Sequence, residues 1–213
     1  MNKINIKHFA GYALTMVLFT LIASSLIIPF NLDLTGSTLV YVCLGQSLLD
    51  ILSFYLYTKL VMKESFKEVF GLYIKKLPKY ILLGVLALLS VLLLIYLISF
   101  IPISSVPLSF QKLYNTNLFT LSCYAVIIAP LREEFLFRGV IQSLLTNKTN
   151  SNLGIIITSL IFTGSHVVYS TAPIMYVRLL LLGLALSILK NNTKSIIPGY
   201  ITHLLMNSII LLR

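Results

Sequence analysis

Long apolar stretches recur along the whole chain, and most of them are about as long as a lipid bilayer is thick. A membrane-spanning helix needs roughly 20 predominantly apolar residues. The hydrocarbon core accepts only helices or closed barrels, because lipid cannot hydrogen-bond an open backbone. We therefore predict an all-α, polytopic transmembrane helix bundle of about seven spans, of which the sixth is short and carries Arg178. The predicted spans cover residues 9–30, 38–61, 80–101, 117–145, 153–170, 174–189 and 195–212.

The composition leaves little room for a soluble domain. Hydrophobic residues make up 58% of the chain and charged residues 10%, with a mean hydropathy of +0.96, whereas about one quarter of a soluble domain is charged. The formal net charge of +10 is interpreted as a determinant of membrane orientation. Because no basic patch is interleaved with aromatic residues, we expect no nucleic acid as a partner.

The lysines predict the orientation of the chain in the membrane. Segment 62–79 carries five lysines and two glutamates, whereas loops 31–37 and 102–116 carry only Asp33 and Lys112. Positively charged loops stay in the cytoplasm, so we expect a multi-pass protein of the cell membrane with a cytoplasmic N-terminus. Segment 62–79 is either an interfacial amphipathic helix or a solvated basic connector. The run from Phe9 to Phe30 is longer than the apolar region of a signal peptide, so we expect an uncleaved first helix.

Two adjacent glutamates are the only acidic residues beyond position 68. Glu133 and Glu134 lie in the fourth predicted span, and an ionisable residue at membrane depth is by default a candidate for function. Glu134 and Arg138 are four residues apart on one helical face and can neutralise each other. Glu133 points about 100° away and has no partner nearby in the sequence. A carboxylate removed from water suits general-base catalysis. The alternative is an ion-pair cluster that holds helices together.

Two histidines in later spans fall at the same level as Glu133. His166 lies as far beyond the polar turn near residue 149 as Glu133 lies before it, so the two meet at one level of a helical hairpin. Continuing the count through the next turns returns to this level near Asn207, one helical turn from His203, and those two residues share a face. We therefore predict a layer of polar residues formed by Glu133, His166, His203 and Asn207 within the membrane.

Three further polar positions receive weaker interpretations. Asp50 and Gln46 share a face of the second span and are interpreted as a satisfied polar contact, with a proton relay as the alternative. Arg132 is interpreted as a structural charge partner. Arg178 either serves the site or extends towards the outer membrane interface.

These motifs resemble those of the CPBP family, the CAAX-protease and bacteriocin-processing intramembrane endopeptidases. The family pattern is Glu-Glu-x-x-x-Arg, then Phe-x-x-x-His, then His-x-x-x-Asn. The matching residues here, in the same order, are Glu133, Glu134 and Arg138, then Phe162 and His166, then His203 and Asn207. The resemblance covers about residues 117–212. It divides the chain into N-terminal transmembrane helices, residues 1–116, and a catalytic helical core, residues 117–213.

The resemblance implies peptide-bond hydrolysis within or near the bilayer. Glu133 would be the general base on a water molecule, supported by the Glu134–Arg138 pair, and Asn207 would steady the oxyanion. The two histidines would position the water, either directly or through a divalent metal such as zinc. In that second case His166, His203 and Glu133 would be the ligands, and both mechanisms remain open. The implied substrate is a membrane-associated peptide or protein, either a prenylated CAAX C-terminus or a leader or pheromone peptide.

Two other classes of function stay open at this point. The chain could be a non-catalytic immunity or scaffold protein for a secreted peptide or bacteriocin, with the same fold but no need of the charges for chemistry. It could also be a proton-coupled carrier, since Glu and His inside helices form proton relays. A carrier predicts repeated halves, and the sequence contains no internal repeat.

Overall fold

The described residues form helices and a few short turns. The computed structural model describes residues 4–27, 36–98, 117–166 and 173–211, and within these ranges no β-strand occurs. The α-helices are α1 Ile6–Ile27, α2 Gly36–Leu56, α3 Phe66–Phe70, α4 Leu77–Ile98, α5 Leu118–Ser122, α6 Ala129–Glu133, α7 Gln142–Lys148, α8 Ser151–Gly164, α9 Pro173–Thr193 and α10 Ile197–Leu211. A short 3₁₀ helix, Ile74–Lys76, precedes α4. The predicted all-α helix bundle is confirmed.

Several helices contain wider, π-helical turns. Tyr57–Val61 extends α2, while Cys123–Ile128 and Glu134–Ile141 join α5, α6 and α7 into one continuous helix over residues 118–148. The backbone N–H of Gln142 accordingly donates to the carbonyl of Phe137, five residues earlier. Single π turns inside α-helices are rare and are often found at functional sites.

Each predicted span coincides with a helix, although some span ends lie outside the described residues. Those ends are residues 28–30, 99–101, 167–170 and 212. Within the described residues, three helices are long and apolar enough to cross a membrane: Ser37–Val61, Phe66–Ile98 and Pro173–Thr193. The helix over 118–148 carries two glutamates and two arginines, which lower its hydropathy. The sixth span is longer than predicted, since α9 continues past residue 189 to Thr193 and keeps Lys190 buried inside the protein.

The segment between α2 and α4 is anchored in the protein core. Phe70 of α3 is fully buried and packs edge-on against Phe135 of the 118–148 helix, with ring centroids 4.9 Å apart. Gly139 allows this approach, since a Cβ there would lie 2.4 Å from the Phe70 ring. Segment 62–79 was predicted to be either an interfacial amphipathic helix or a solvated basic connector. Neither alternative describes the segment fully, because its aromatic residues face the protein interior while its lysines stay exposed.

Four basic segments lie together at one end of the bundle, which we call the basic end. The Asn147 side chain donates to the carbonyl of Ile4 at 2.7 Å, and the N–H of Ile196 donates to the carbonyl of Phe70. The first bond joins the N-terminal segment to the end of α7, and the second joins residues 62–76 to the turn at 194–196. Ile4, Phe70 and Ile196 also lie in one buried cluster. The sequence predicted that the N-terminus and segment 62–79 share one side of the membrane, and in the structure both lie at this end of the bundle.

The C-terminal helices pack around the 118–148 helix. The hairpin predicted between the fourth and fifth spans is present, because α7 packs against α8. Helix α8 packs against α9, and α10 packs against both α9 and α4. This arrangement brings the motif-bearing stretches of three helices to one place.

Candidate active site

The two glutamates lie where α6 passes into the π-helical stretch Glu134–Ile141, and their environments differ. The side chain of Glu134 is completely buried, whereas that of Glu133 is 20% exposed. Adjacent positions on a helix point in different directions, so one carboxylate enters the protein and the other faces the edge of a cavity. This division agrees with the one predicted from spacing.

Glu134 is neutralised by Arg138, as predicted. Arg138 Nη1 lies 3.2 Å from Glu134 Oε1, and both side chains are fully buried. Arg138 Nη2 donates to the carbonyl of Gly183 in α9 at 3.2 Å, and its guanidinium carbon lies 4.4 Å from the centre of the Phe162 ring. A buried charge is tolerated when it is paired and hydrogen-bonded, so these contacts fix the position of the Glu134 carboxylate.

His203 of α10 connects the two glutamates. Its Nδ1 lies 3.3 Å from Glu134 Oε1, and its Nε2 lies 3.7 Å from Glu133 Oε2. Because Glu134 is paired with an arginine as a carboxylate, it accepts hydrogen bonds and Nδ1 carries the proton. In the neutral ring the Nε2 lone pair then faces Glu133. A carboxylate that fixes the tautomer of a functional histidine is common in enzyme sites.

His166 presents the same atom to Glu133 from the opposite helix. Its Nε2 lies 3.8 Å from Glu133 Oε2, and its Nδ1 donates to the backbone carbonyl of Phe162 at 2.8 Å. A carbonyl oxygen can only accept, so Nδ1 carries the proton and Nε2 of the neutral ring carries the lone pair. Although they are 37 positions apart in the sequence, the two histidines offer equivalent nitrogen atoms to one carboxylate oxygen.

Three hydrogen-bond acceptors therefore converge on one point. Glu133 Oε2 is buried and has no hydrogen-bond partner among the described residues. Buried polar atoms usually have a partner, and two imidazole lone pairs cannot supply a hydrogen to a carboxylate. A water molecule, with two hydrogens to donate, or a cation would give Glu133 Oε2 a partner at this point. The position is therefore suited to hold a reactive water.

A cavity of about 190 Å³ opens beside Glu133. A buried water needs roughly 10–15 Å³ of such volume, so the cavity has room for water and for part of a peptide. Arg132 forms part of its wall, and its Nε donates to Asp50 Oδ2 of α2 at 2.5 Å. The same aspartate accepts from Gln46, as predicted. The lining residues are Arg132, Glu133, Leu136, Phe137, Ser165 and His166.

Asn207 stands apart from the converging acceptors. Its side-chain N–H donates to the backbone carbonyl of Ala125 at 2.9 Å, which attaches α10 to a π-helical turn of the 118–148 helix. It makes no hydrogen bond to the glutamates or histidines within the described part of the chain. Its predicted catalytic role stays a prediction. Arg178 has a buried Nε without a hydrogen-bond partner among those residues.

Two glycines that shape the site were not predicted from the sequence. A Cβ on Gly199 of α10 would lie 2.8 Å from Glu134 Oε2, and a Cβ on Gly183 would lie 3.2 Å from the Phe162 ring. Both glycines let a neighbouring helix approach the ion pair closely. The available signal was their position in spans that pair with the motif-bearing helix, where small residues permit close packing.

The donor atoms at Glu133 are of the kind that zinc accepts, namely two imidazole nitrogens and a carboxylate oxygen. As they are placed, no group of three such side chains among the described residues has the geometry of a metal site. The buried, unpartnered Glu133 Oε2 nevertheless fits a cation as well as a water. The predicted metal ligands, His166, His203 and Glu133, therefore stay a prediction.

Comparison with known protein families supports the same interpretation. Residues 115–209 match the family model described as type II CAAX prenyl endopeptidase Rce1-like. The match covers less than half of the chain but includes all the motif residues, and it confirms the resemblance to the CAAX proteases. No match was found among curated proteins or among solved structures. At the level of the family, the match supports a CAAX-protease-like intramembrane endopeptidase.

Proposed function

Because residues 115–209 match the Rce1-like CAAX endopeptidase family, we propose that the protein is an intramembrane endopeptidase that uses a glutamate-activated water. One observation carries the proposal: Glu133 Oε2 faces the Nε2 atoms of His166 and His203 at 3.8 and 3.7 Å. A purely structural ion pair would satisfy its own hydrogen bonds, whereas Glu133 Oε2 has no such partner among the described residues. It lies at the edge of a cavity.

The reaction follows from these three acceptors. A water held between them gives one proton to Glu133. Its other hydrogen stays on the oxygen and is oriented by a hydrogen bond to an Nε2 lone pair. The water oxygen bonds to the carbonyl carbon of the peptide, and the carbon–nitrogen bond then breaks. The proton taken by Glu133 passes to the leaving amine, so the carboxylate is restored. One water is consumed for each bond broken.

The remaining motif residues position these groups. Glu134 holds His203 with its Nε2 lone pair towards Glu133, and Arg138 is the buried counter-charge of Glu134. Asn207 is assigned to the oxyanion because a side-chain amide is a suitable donor there. Its amide nitrogen carries two hydrogens, and the bond to Ala125 uses one of them. If a metal is bound, His166, His203 and Glu133 would hold it, and it would polarise the carbonyl and acidify the water.

We assign the substrate to membrane-associated peptides or proteins. Apolar side chains of α4 are exposed along most of the helix, so this surface is suited to contact lipid, and a substrate held in the bilayer would reach the bundle laterally. A prenylated C-terminus and a lipophilic leader or pheromone peptide both fit. We also assign the basic end to the cytoplasmic side of the cell membrane, since positive loops are retained there.

The test compares membranes that carry wild-type protein, Glu133→Gln or Glu68→Gln at matched expression. Glu68 is an exposed residue of α3 and serves as a carboxylate control. Membrane-associated peptides are quantified by mass spectrometry. We expect products to form about 10²–10⁴ times more slowly with Glu133→Gln, because an amide cannot act as the base.

The control variant should retain the wild-type peptide profile. Identical profiles for all three proteins, with the Glu133→Gln variant folded, would contradict the proposal. That result would favour the non-catalytic immunity or scaffold protein. Addition and removal of Zn²⁺ in the same assay separates the metal-assisted from the metal-free mechanism.

A further inference from the structure

Buried polar residues continue from the ion pair of the site towards the basic end of the bundle. Gln142 follows Arg138 by one turn, and its Nε2 donates to the carbonyl of Ser187 at 2.8 Å. Ser187 follows Gly183, whose carbonyl accepts from Arg138. Two successive hydrogen bonds from polar side chains therefore connect the 118–148 helix to α9, where a membrane bundle could have used apolar packing.

The next polar contact between these two helices is made by a buried lysine of α9. Lys190 is 7% exposed, and its Nζ donates to Ser143 Oγ at 3.3 Å. An ammonium group has three hydrogens to donate, and no carboxylate pairs with Lys190 among the described residues. Three residues later α9 ends at Thr193, and the following turn, at Lys194, meets Gly71 at the basic end.

Helix α8 adds a third side to this arrangement. Ser159 Oγ lies 3.3 Å from Ser187 Oγ. We call Arg138, Gln142, Ser143, Ser159, Ser187 and Lys190 the polar column. Its members come from three helices and are all at least nine-tenths buried.

Several atoms of the polar column lack a protein partner. Gln142 Oε1 and Arg138 Nε are buried and without a hydrogen bond in the described ranges, as is Glu134 Oε2 at the end of the column. Buried polar atoms left unpaired by protein are usually hydrogen-bonded to internal water.

We propose that the polar column is hydrated and conducts water from the basic end to the rear of the Glu134–Arg138 pair. As a supply of water for hydrolysis, this inference rests on the proposed function. As a hydrated path through a membrane bundle, it stands on the buried polar contacts and can be tested without a substrate. The path leads to Glu134 from the basic end, and none of its members lines the cavity beside Glu133.

The test places single cysteines at three successive positions of α9. Ser187 belongs to the column, Leu186 is fully buried in an apolar cluster, and Ile188 is 45% exposed on the outer surface. Cys43 and Cys123, which are free, are first replaced by alanine. The full chain in membrane vesicles is treated with methyl methanethiosulfonate, which is small and reacts with thiolates.

We expect Ser187→Cys to react at least about tenfold faster than Leu186→Cys and Ile188→Cys, because only the thiolate reacts and it forms where water reaches the sulfur. Equal, slow rates at all three positions would overturn the inference. If Ser187→Cys fails to fold, Ser159→Cys replaces it, with the outward-facing Leu160→Cys as its control.

A second variant tests the direction of the path. Lys190→Leu, combined with Ser187→Cys, places an apolar side chain at the basic end of the column. We expect the reaction at residue 187 to slow towards the rate of Leu186→Cys. An unchanged rate would show that water enters from elsewhere and would contradict the proposed route. The outcome of the Glu133→Gln test, whichever it is, has no bearing on these labelling rates, so the two proposals fail separately.

Discussion

Removal of the Arg138 guanidinium should destabilise the protein strongly, because it strands a buried carboxylate. Arg138 and Glu134 both have 0% side-chain exposure. Breaking a buried ion pair by removing one partner costs about 3–5 kcal/mol. For a chain of this size, 1 kcal/mol lowers the melting temperature by roughly 2–4 °C. Arg138→Met should therefore melt about 6–20 °C below wild type.

The double variant Glu134→Leu/Arg138→Met separates stability from chemistry. Replacing both members of a buried pair by apolar groups is often neutral or stabilising, so we expect the melting temperature to return close to that of the wild type. Peptidase activity should stay about 10–100-fold lower, because His203 has lost the carboxylate that fixes its tautomer. Arg138→Lys, which keeps the charge, should melt between wild type and Arg138→Met.

The assay is thermal unfolding of purified protein in detergent, followed by peptide cleavage at matched concentration. A melting temperature for Arg138→Met within about 2 °C of wild type would show a loss well under 3 kcal/mol and would refute the buried pairing. A double variant no more stable than the single one would refute charge compensation as the cause.

Three other substitutions test separate parts of the structure. Gly199→Ala places a Cβ 2.8 Å from the carboxylate of Glu134 and should lower kcat by roughly tenfold or more. The control Gly45→Ala, with no neighbour within 4 Å among the described residues, should keep wild-type kinetics. Equal kcat values for the two variants would contradict this prediction. Gly71→Ala adds a side chain at φ 68° and 2.0 Å from a backbone carbonyl. The free energy of unfolding should therefore fall by at least about 1–2 kcal/mol, as measured by thermal unfolding. An unchanged melting temperature would contradict this prediction. Asp50→Asn leaves Arg132 without its counter-charge and should raise KM more than it lowers kcat in steady-state kinetics; a fall in kcat alone would instead favour a proton relay through Asp50.

The sequence was sufficient for the parts of the structure that depend on hydropathy and helical geometry. Apolar length located the spans, and counting residues through the turns brought Glu133 level with His166 and close to His203. The i,i+4 rule identified the Glu134–Arg138 pair. These inferences succeed because the rise per residue along a helix varies little. A long apolar segment in lipid also has few alternatives to forming a membrane-spanning helix.

Contacts between distant helices were not predictable in the same way. Nothing near Asp50 indicates that it binds Arg132, since the two residues lie on different spans and meet only through tertiary packing. The same is true of the bond between His203 and Glu134, which fixes the histidine tautomer. The burial of Phe70 depends on Gly139 lying opposite it, and one sequence does not reveal which aromatic residue meets which glycine.

The π-helical stretch Glu134–Ile141 also has a consequence for how the chain tolerates insertions and deletions. A π turn holds one residue more than an α turn, so loss of one residue here, such as Leu136, could be absorbed by conversion to an α-helix. The helix would remain continuous, and residues beyond the deletion would keep their orientation, because the α turn closes with one residue fewer than the π turn that it replaces. Gln142 would then still face α9, and the glutamates would keep their places. A homologue one residue shorter at this point could therefore keep both the glutamates and the packing below them, and an alignment without a gap there would pair residues that do not occupy the same position.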